Sequence, residues 1–200
     1  MSPITRSCFL LSLLAIALPM LASQPQITIS VYNDARIPEQ FLAEAIEQAS
    51  RIFLKAGLQT RWLECSIPAI GIQRDADCKA PFGPAHMALR IVPGSWMNGD
   101  ATFGVALLSA EGKGVYCDVY YGSVEKFHKD SDVSIPPILG HVMAHEIGHL
   151  LLGTHAHSPA GIMLPQWHGN ELRRLMMGTL LFTPQQARAA REKLLSVNRQ

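Results

Sequence analysis

The chain has 200 residues, 48% of them hydrophobic and 16% charged, with a formal net charge of +1. That length suits one domain with a real apolar core, and the apolar fraction excludes a disordered chain. A charge near zero argues against a nucleic-acid partner, which normally brings a basic excess or stripe.

Met1 to Arg6 carries one positive charge, and Cys8 to Leu18 is nearly unbroken apolar sequence ending at Pro19 and the small pair Ala22-Ser23. That order is the pattern of a signal peptide over residues 1–22, and the run is well short of the roughly 20 residues that span a bilayer. A secreted or periplasmic protein is therefore expected, with no stable membrane association after cleavage. The folded domain is expected over residues 23–200, as a monomer. Removing the signal takes Cys8 with it. In an oxidising compartment Cys65 and Cys78 are the natural pair, closing a short loop, and Cys117 is left over.

Gln26 to Tyr32 alternates with β-branched residues and reads as a strand. Pro38 then opens a helix whose apolar face is Phe41, Leu42, Ala45, Ile46, Ala49, Ile52 and Phe53, with Gly57 as its stop. Further strands are expected at 58–63, 86–92, 103–108 and 115–121. The charged stretch Glu125 to Asp132 reads as a solvated loop. Its carboxylates are a weak candidate for Ca²⁺, without the spacing of an EF-hand. Pro136 and Pro137 suit the first turn of a long helix that runs to Gly153. An irregular Gly/Pro-rich region follows, to about Asn170. Thr183-Pro184-Gln185-Gln186 then announces a last helix, with Thr as N-cap and Gln186 completing a capping box. No linker divides the chain. It reads as one α+β domain.

The residues that carry chemistry are His145-Glu146-Ile147-Gly148-His149, with His155 six residues further on. Positions four apart share a helix face, so His145 and His149 can present two imidazoles to one metal ion. Neutral imidazole suits Zn²⁺, and a catalytic site wants three protein ligands plus a water. Glu146 lies beside the first ligand, where it can act on that water as general base. Chance supplies about 0.014 such five-residue matches in a chain of this composition. The third ligand is expected to be His155, with His157 as its competitor. Glu171, 22 residues beyond His149, is a further alternative of the thermolysin type.

His145, Glu146, His149 and His155 together resemble the zinc signature of the metzincin metallopeptidases, HExxHxxGxxH. Gly161-Ile162-Met163 resembles that family's Met-turn, in which a methionine packs beneath the metal. The resemblance implies a metzincin-like fold: a mostly five-stranded mixed sheet with a backing helix, an active-site helix and a C-terminal helix. It implies one Zn²⁺ on His145, His149 and His155, with Glu146 as catalytic base and Met163 as a structural residue. The signature departs at its eighth position, where Leu152 stands in place of glycine and Gly153 follows. Ala156 after the third His matches none of the family's branches, and no Tyr follows the Met-turn.

The expected function is a zinc endopeptidase acting on a protein or peptide. By the resemblance, Phe103 to Leu108 is the edge strand along which an extended substrate pairs, with an ordinary core strand as the plainer reading. Two other classes stay open: a secreted zinc-binding protein without peptidase activity, and a zinc hydrolase of non-peptide amides such as cell-wall crosslinks. Among single residues, His141 either lines the cleft or is hydrogen-bonded, and Trp167 is either pocket wall or core. His86, His128 and His168 read as surface residues.

Overall fold

The computed structural model describes residues 24–66, 76–94 and 102–197, so the expected signal segment lies outside the described residues. Five strands form one sheet: β1 (Gln26–Asn33), β2 (Gln59–Glu64), β3 (His86–Val92), β4 (Gly104–Leu107) and β5 (Tyr116–Tyr120). Their order across the sheet is β2-β1-β3-β5-β4. The first four in that order run parallel, and β4 lies antiparallel to β5 at the edge. The sheet is mixed and five-stranded, as expected.

Alternation decides which face is covered. Ile27, Ile29 and Val31 of β1, with Met87, Leu89 and Ile91 of β3, are buried in the main core cluster. The same cluster holds Cys117 and Val119 of β5 and two long helices, α1 (Glu39–Lys55) and α3 (Ile135–Leu152). Helix α1 contributes the expected stripe, with Leu42, Ala45, Ala49, Ile52 and Phe53 buried. Helix α3 is buried from Ile138 through Leu151. A helix buried all round sits inside a molecule, so any polar side chain on it must be satisfied or functional.

Three shorter helices complete the fold: α2 (Tyr121–Ser131), α4 (Asn170–Met176) and α5 (Pro184–Val197). The expected loop at Glu125 to Asp132 is mostly helix. Val124 is buried and Tyr121 and Phe127 pack on the core at a spacing of three, while Lys126 and Asp130 form an i,i+4 pair at 2.6 Å. The helix ends at Asp132, whose φ is +56°. Helix α4 begins where the expected irregular stretch ends, anchored by Leu172 and Leu175.

The last helix starts as its sequence demands. The backbone N–H of Thr183 donates to Gln186 Oε1 at 2.8 Å, and the Gln186 N–H donates to Thr183 Oγ1 at 3.3 Å. Cys65 and Cys78 form the expected disulfide, and Cys117 is free and buried. Among the described residues, no helix is long and apolar enough to cross a membrane.

Candidate metal centre

Helix α3 carries His145, Glu146 and His149 on its inner length, where they are 8%, 4% and 5% exposed. Both histidines are held from behind. His145 donates its Nδ1–H to the Ile162 carbonyl at 2.8 Å, and His149 donates its own to the Thr154 carbonyl at 2.7 Å. A carbonyl only accepts, so these bonds place the ring proton on Nδ1 and leave Nε2 with a lone pair. Burial keeps the rings neutral, pushing the pKa of His145 down to about 4 and lowering that of His149.

The two Nε2 atoms then face each other at 3.1 Å with no proton to share. Such an arrangement calls for a cation. Two bonds of 2.0–2.1 Å at a tetrahedral angle put nitrogens about 3.3 Å apart, so the pair has the span of a zinc site.

The ring of His157 completes the group, with centroids 5.3 Å from His145 and 5.1 Å from His149. One nitrogen from each of the three lies within 4.8 Å of the others. This cluster has the capacity to hold a metal ion. His155, the expected third ligand, is not in the group. It is exposed and lines the cleft beside it.

The reason lies in the helix exit. Leu152 is still helical, and the left-handed residue is Gly153 at φ +68°, one position later than the signature expects. The loop beyond it is pinned by the Thr154 carbonyl on His149 and by Ser158, whose N–H donates to the Met163 carbonyl at 2.9 Å. Between those two pins His157 arrives over the pair. Glu171, on α4, is also outside the group.

Gly161 to Leu164 forms a tight turn directly beneath. Gly161 has φ +77°, and the Ile162 N–H donates to the Leu181 carbonyl at 2.9 Å. Met163 is 1% exposed. A Cβ on Gly148 would meet the Met163 sulfur at 2.7 Å, so the thioether packs straight onto the bare helix backbone. The turn thus supports the helix through Met163 and orients His145 through Ile162. Neither Gly148 nor Gly104 was singled out from the sequence, although Gly148 stands inside the motif.

Glu146 lies under the edge strand. A Cβ on Gly104 would come within 2.7 Å of Glu146 Cγ, so β4 rests on this side chain. Burial raises the Glu146 carboxyl pKa to about 8. An open cleft of about 390 Å³ runs between β4 and α3, with Glu146, the three clustered histidines and Trp167 on its walls. Trp167 is both wall and core: it is 3% exposed and stacks on Phe103 at 5.7 Å.

The remaining histidines are accounted for otherwise. His141 is fully buried and bonded to the Pro137 carbonyl at 2.7 Å. His86 pairs with the Ser30 hydroxyl, His128 with the Val133 carbonyl, and His168 with the Gln166 side chain. Among the described residues no group of three donors forms around the acidic side chains of α2.

No family model and no curated relative matches the chain. Solved structures do. A zinc-dependent peptidase from Methanocorpusculum labreanum superposes with a TM-score of 0.53 at 19% identity, over 81% of this chain and 99% of its own. Archaemetzincin from Methanopyrus kandleri superposes with a TM-score of 0.54 at 14% identity, over 88% of this chain and 99% of its own. The fold is metzincin-like, a single α+β unit with a mixed five-stranded sheet flanked by helices.

Proposed function

We propose that the protein is a zinc endopeptidase, exported behind a signal peptide at residues 1–22, with its catalytic domain over 23–200. His145, His149 and His157 hold the ion. The observation that carries this reading is the pair of unprotonated Nε2 atoms converging at 3.1 Å beside a buried carboxyl in an open cleft. A bound zinc supplies Lewis acidity, which acidifies water and polarises a scissile carbonyl.

The chain's own groups do the rest. Glu146 takes the proton of the attacking water and passes it to the leaving amine nitrogen. Its burial raises its proton affinity, which suits a group that must hold the proton between the two transfers. The free edge of β4 offers main-chain hydrogen bonds to an extended peptide without demanding a particular sequence. The likeness to the zinc-dependent peptidase of Methanocorpusculum labreanum supports the same reading.

The test compares wild type with Glu146→Gln for zinc content and for cleavage of casein and a peptide library. Equal zinc is expected in both, with the variant slowed by about 10²-fold or more. Equal activity in the two proteins overturns the mechanism. Cleavage confined to non-peptide amides moves the protein to that class of hydrolase. N-terminal sequencing of the exported protein is expected to start near residue 23.

A further inference from the structure

Amide hydrolysis places negative charge on the carbonyl oxygen as the water oxygen bonds to carbon and the C=O π pair moves onto oxygen. The water's proton leaves to Glu146. A donor fixed 2.7–3.1 Å from that developing oxyanion is worth about 10²–10³ in kcat. His145 and His149 cannot provide it: their Nδ1–H groups are committed to carbonyls and their Nε2 atoms face each other. Outside the histidine cluster, four lining side chains carry polar hydrogens to offer, those of Thr102, His155, Gln166 and Trp167. The Trp167 indole N–H is buried and so is not presented to the open cleft. Gln166 accepts the His168 ring N–H through Oε1 at 3.1 Å, a bond that leaves its own amide N–H groups free.

His155 differs from Thr102 and Gln166 because its backbone is tied to the centre through Thr154. The Thr154 carbonyl accepts the Nδ1–H of His149 at 2.7 Å. The Ala156 N–H donates to Thr154 Oγ1 at 3.0 Å. The backbone at 155 is therefore held one residue from a ligand's own clamp, while its ring is exposed on the cleft wall. The ring is also close enough to His149 for the two to interact electrostatically. No hydrogen-bond partner of the His155 ring is found among the described residues.

We propose that His155, rather than serving as a ligand, donates a ring N–H to the oxyanion of the scissile peptide group, and so is a catalytic residue of the cleft. This rests on the reading of the site as a zinc endopeptidase. The neutral ring suffices, with its N–H as donor and no bond to it made or broken.

The experiment measures zinc content, kcat and KM on a cleaved peptide, and affinity for a phosphinic peptide that mimics the tetrahedral oxyanion. Wild type, His155→Ala, His155→Gln and His157→Ala are compared. His155→Ala is expected to keep full zinc and a KM within about threefold, with kcat reduced about 10²-fold and phosphinate affinity reduced about tenfold or more. His155→Gln is expected to recover part of both losses. His157→Ala is expected to lose zinc. Unchanged kcat and phosphinate affinity in His155→Ala overturn the proposal, as does zinc lost from His155→Ala and kept by His157→Ala. A zinc-loaded wild type that neither cleaves peptides nor binds the phosphinate overturns the reading of the site, and this inference with it.

Discussion

Two residues outside the histidine cluster show how tightly the site is built. Gly104 has ordinary backbone angles, so its lack of a side chain matters for space alone. A methyl group there would sit 2.4 Å from the Asp118 carbonyl and 2.7 Å from Glu146 Cγ. Backbone cannot yield cheaply, so Gly104→Ala is expected to cost about 1–3 kcal/mol in stability and to displace Glu146. Thermal melts and kinetics of the variant should show both losses with zinc content unchanged, since the histidines lie elsewhere. His141 makes a different statement. It is fully buried, and burial pushes its pKa to about 4 from an ordinary 6.5. Between those values the unfolded chain takes up a proton that the folded chain refuses, so stability is lost as pH falls from 6.5 toward 4. The full loss is about 3 kcal/mol. Urea unfolding at pH 7 and pH 4.5 should show a smaller acid penalty in His141→Phe than in wild type. Equal penalties would remove His141 from the account.

At the scale of elements, the turn at Gly161–Leu164 is the support of helix α3. Met163 fills the space above Gly148, and the Ile162 carbonyl next to it fixes the His145 ring. Met163→Ala is expected to cost about 2–5 kcal/mol and to weaken zinc binding, because the cavity loosens the turn that aims His145. Met163→Leu keeps the volume and should cost less than about 1.5 kcal/mol. Denaturation midpoints and zinc affinities of the two variants test this, and an alanine variant as stable as wild type would deny the turn its role. The same elements show what could be read in advance. The convergence of His145 and His149 was legible because helix periodicity alone converts a spacing of four into one face. The capping box at Thr183 and Gln186 and the Cys65–Cys78 pair were legible for equally local reasons. Which of His155 and His157 joins the pair was not. That depends on whether the left-handed residue is 152 or 153 and on how Thr154 and Ser158 pin the loop, and these are tertiary choices. Helix α2 was missed because three apolar positions amid charges give little signal until the core is there to receive them.

At the scale of the whole molecule, three separate parts of the chain meet at one point. Helix α3 brings two imidazoles, the loop after Gly153 brings the third, and the edge strand β4 roofs the carboxyl between them. The folded chain holds the three rings together with two unshared lone pairs face to face, a repulsion that the unfolded chain does not have. A metal that binds the folded state alone therefore raises stability by mass action. Free zinc at about a thousandfold above its Kd adds about 4 kcal/mol, which for a chain of 200 residues is a rise in Tm of about 10 °C. Calorimetry of the chelator-treated protein with and without added zinc should show this rise, and Mg²⁺ should not reproduce it, since it prefers oxygen donors. The rise should vanish in His149→Ala, because that substitution removes a donor while the Thr154 carbonyl it held can still find water. A melting curve indifferent to zinc would mean that the three rings share the cleft without sharing an ion.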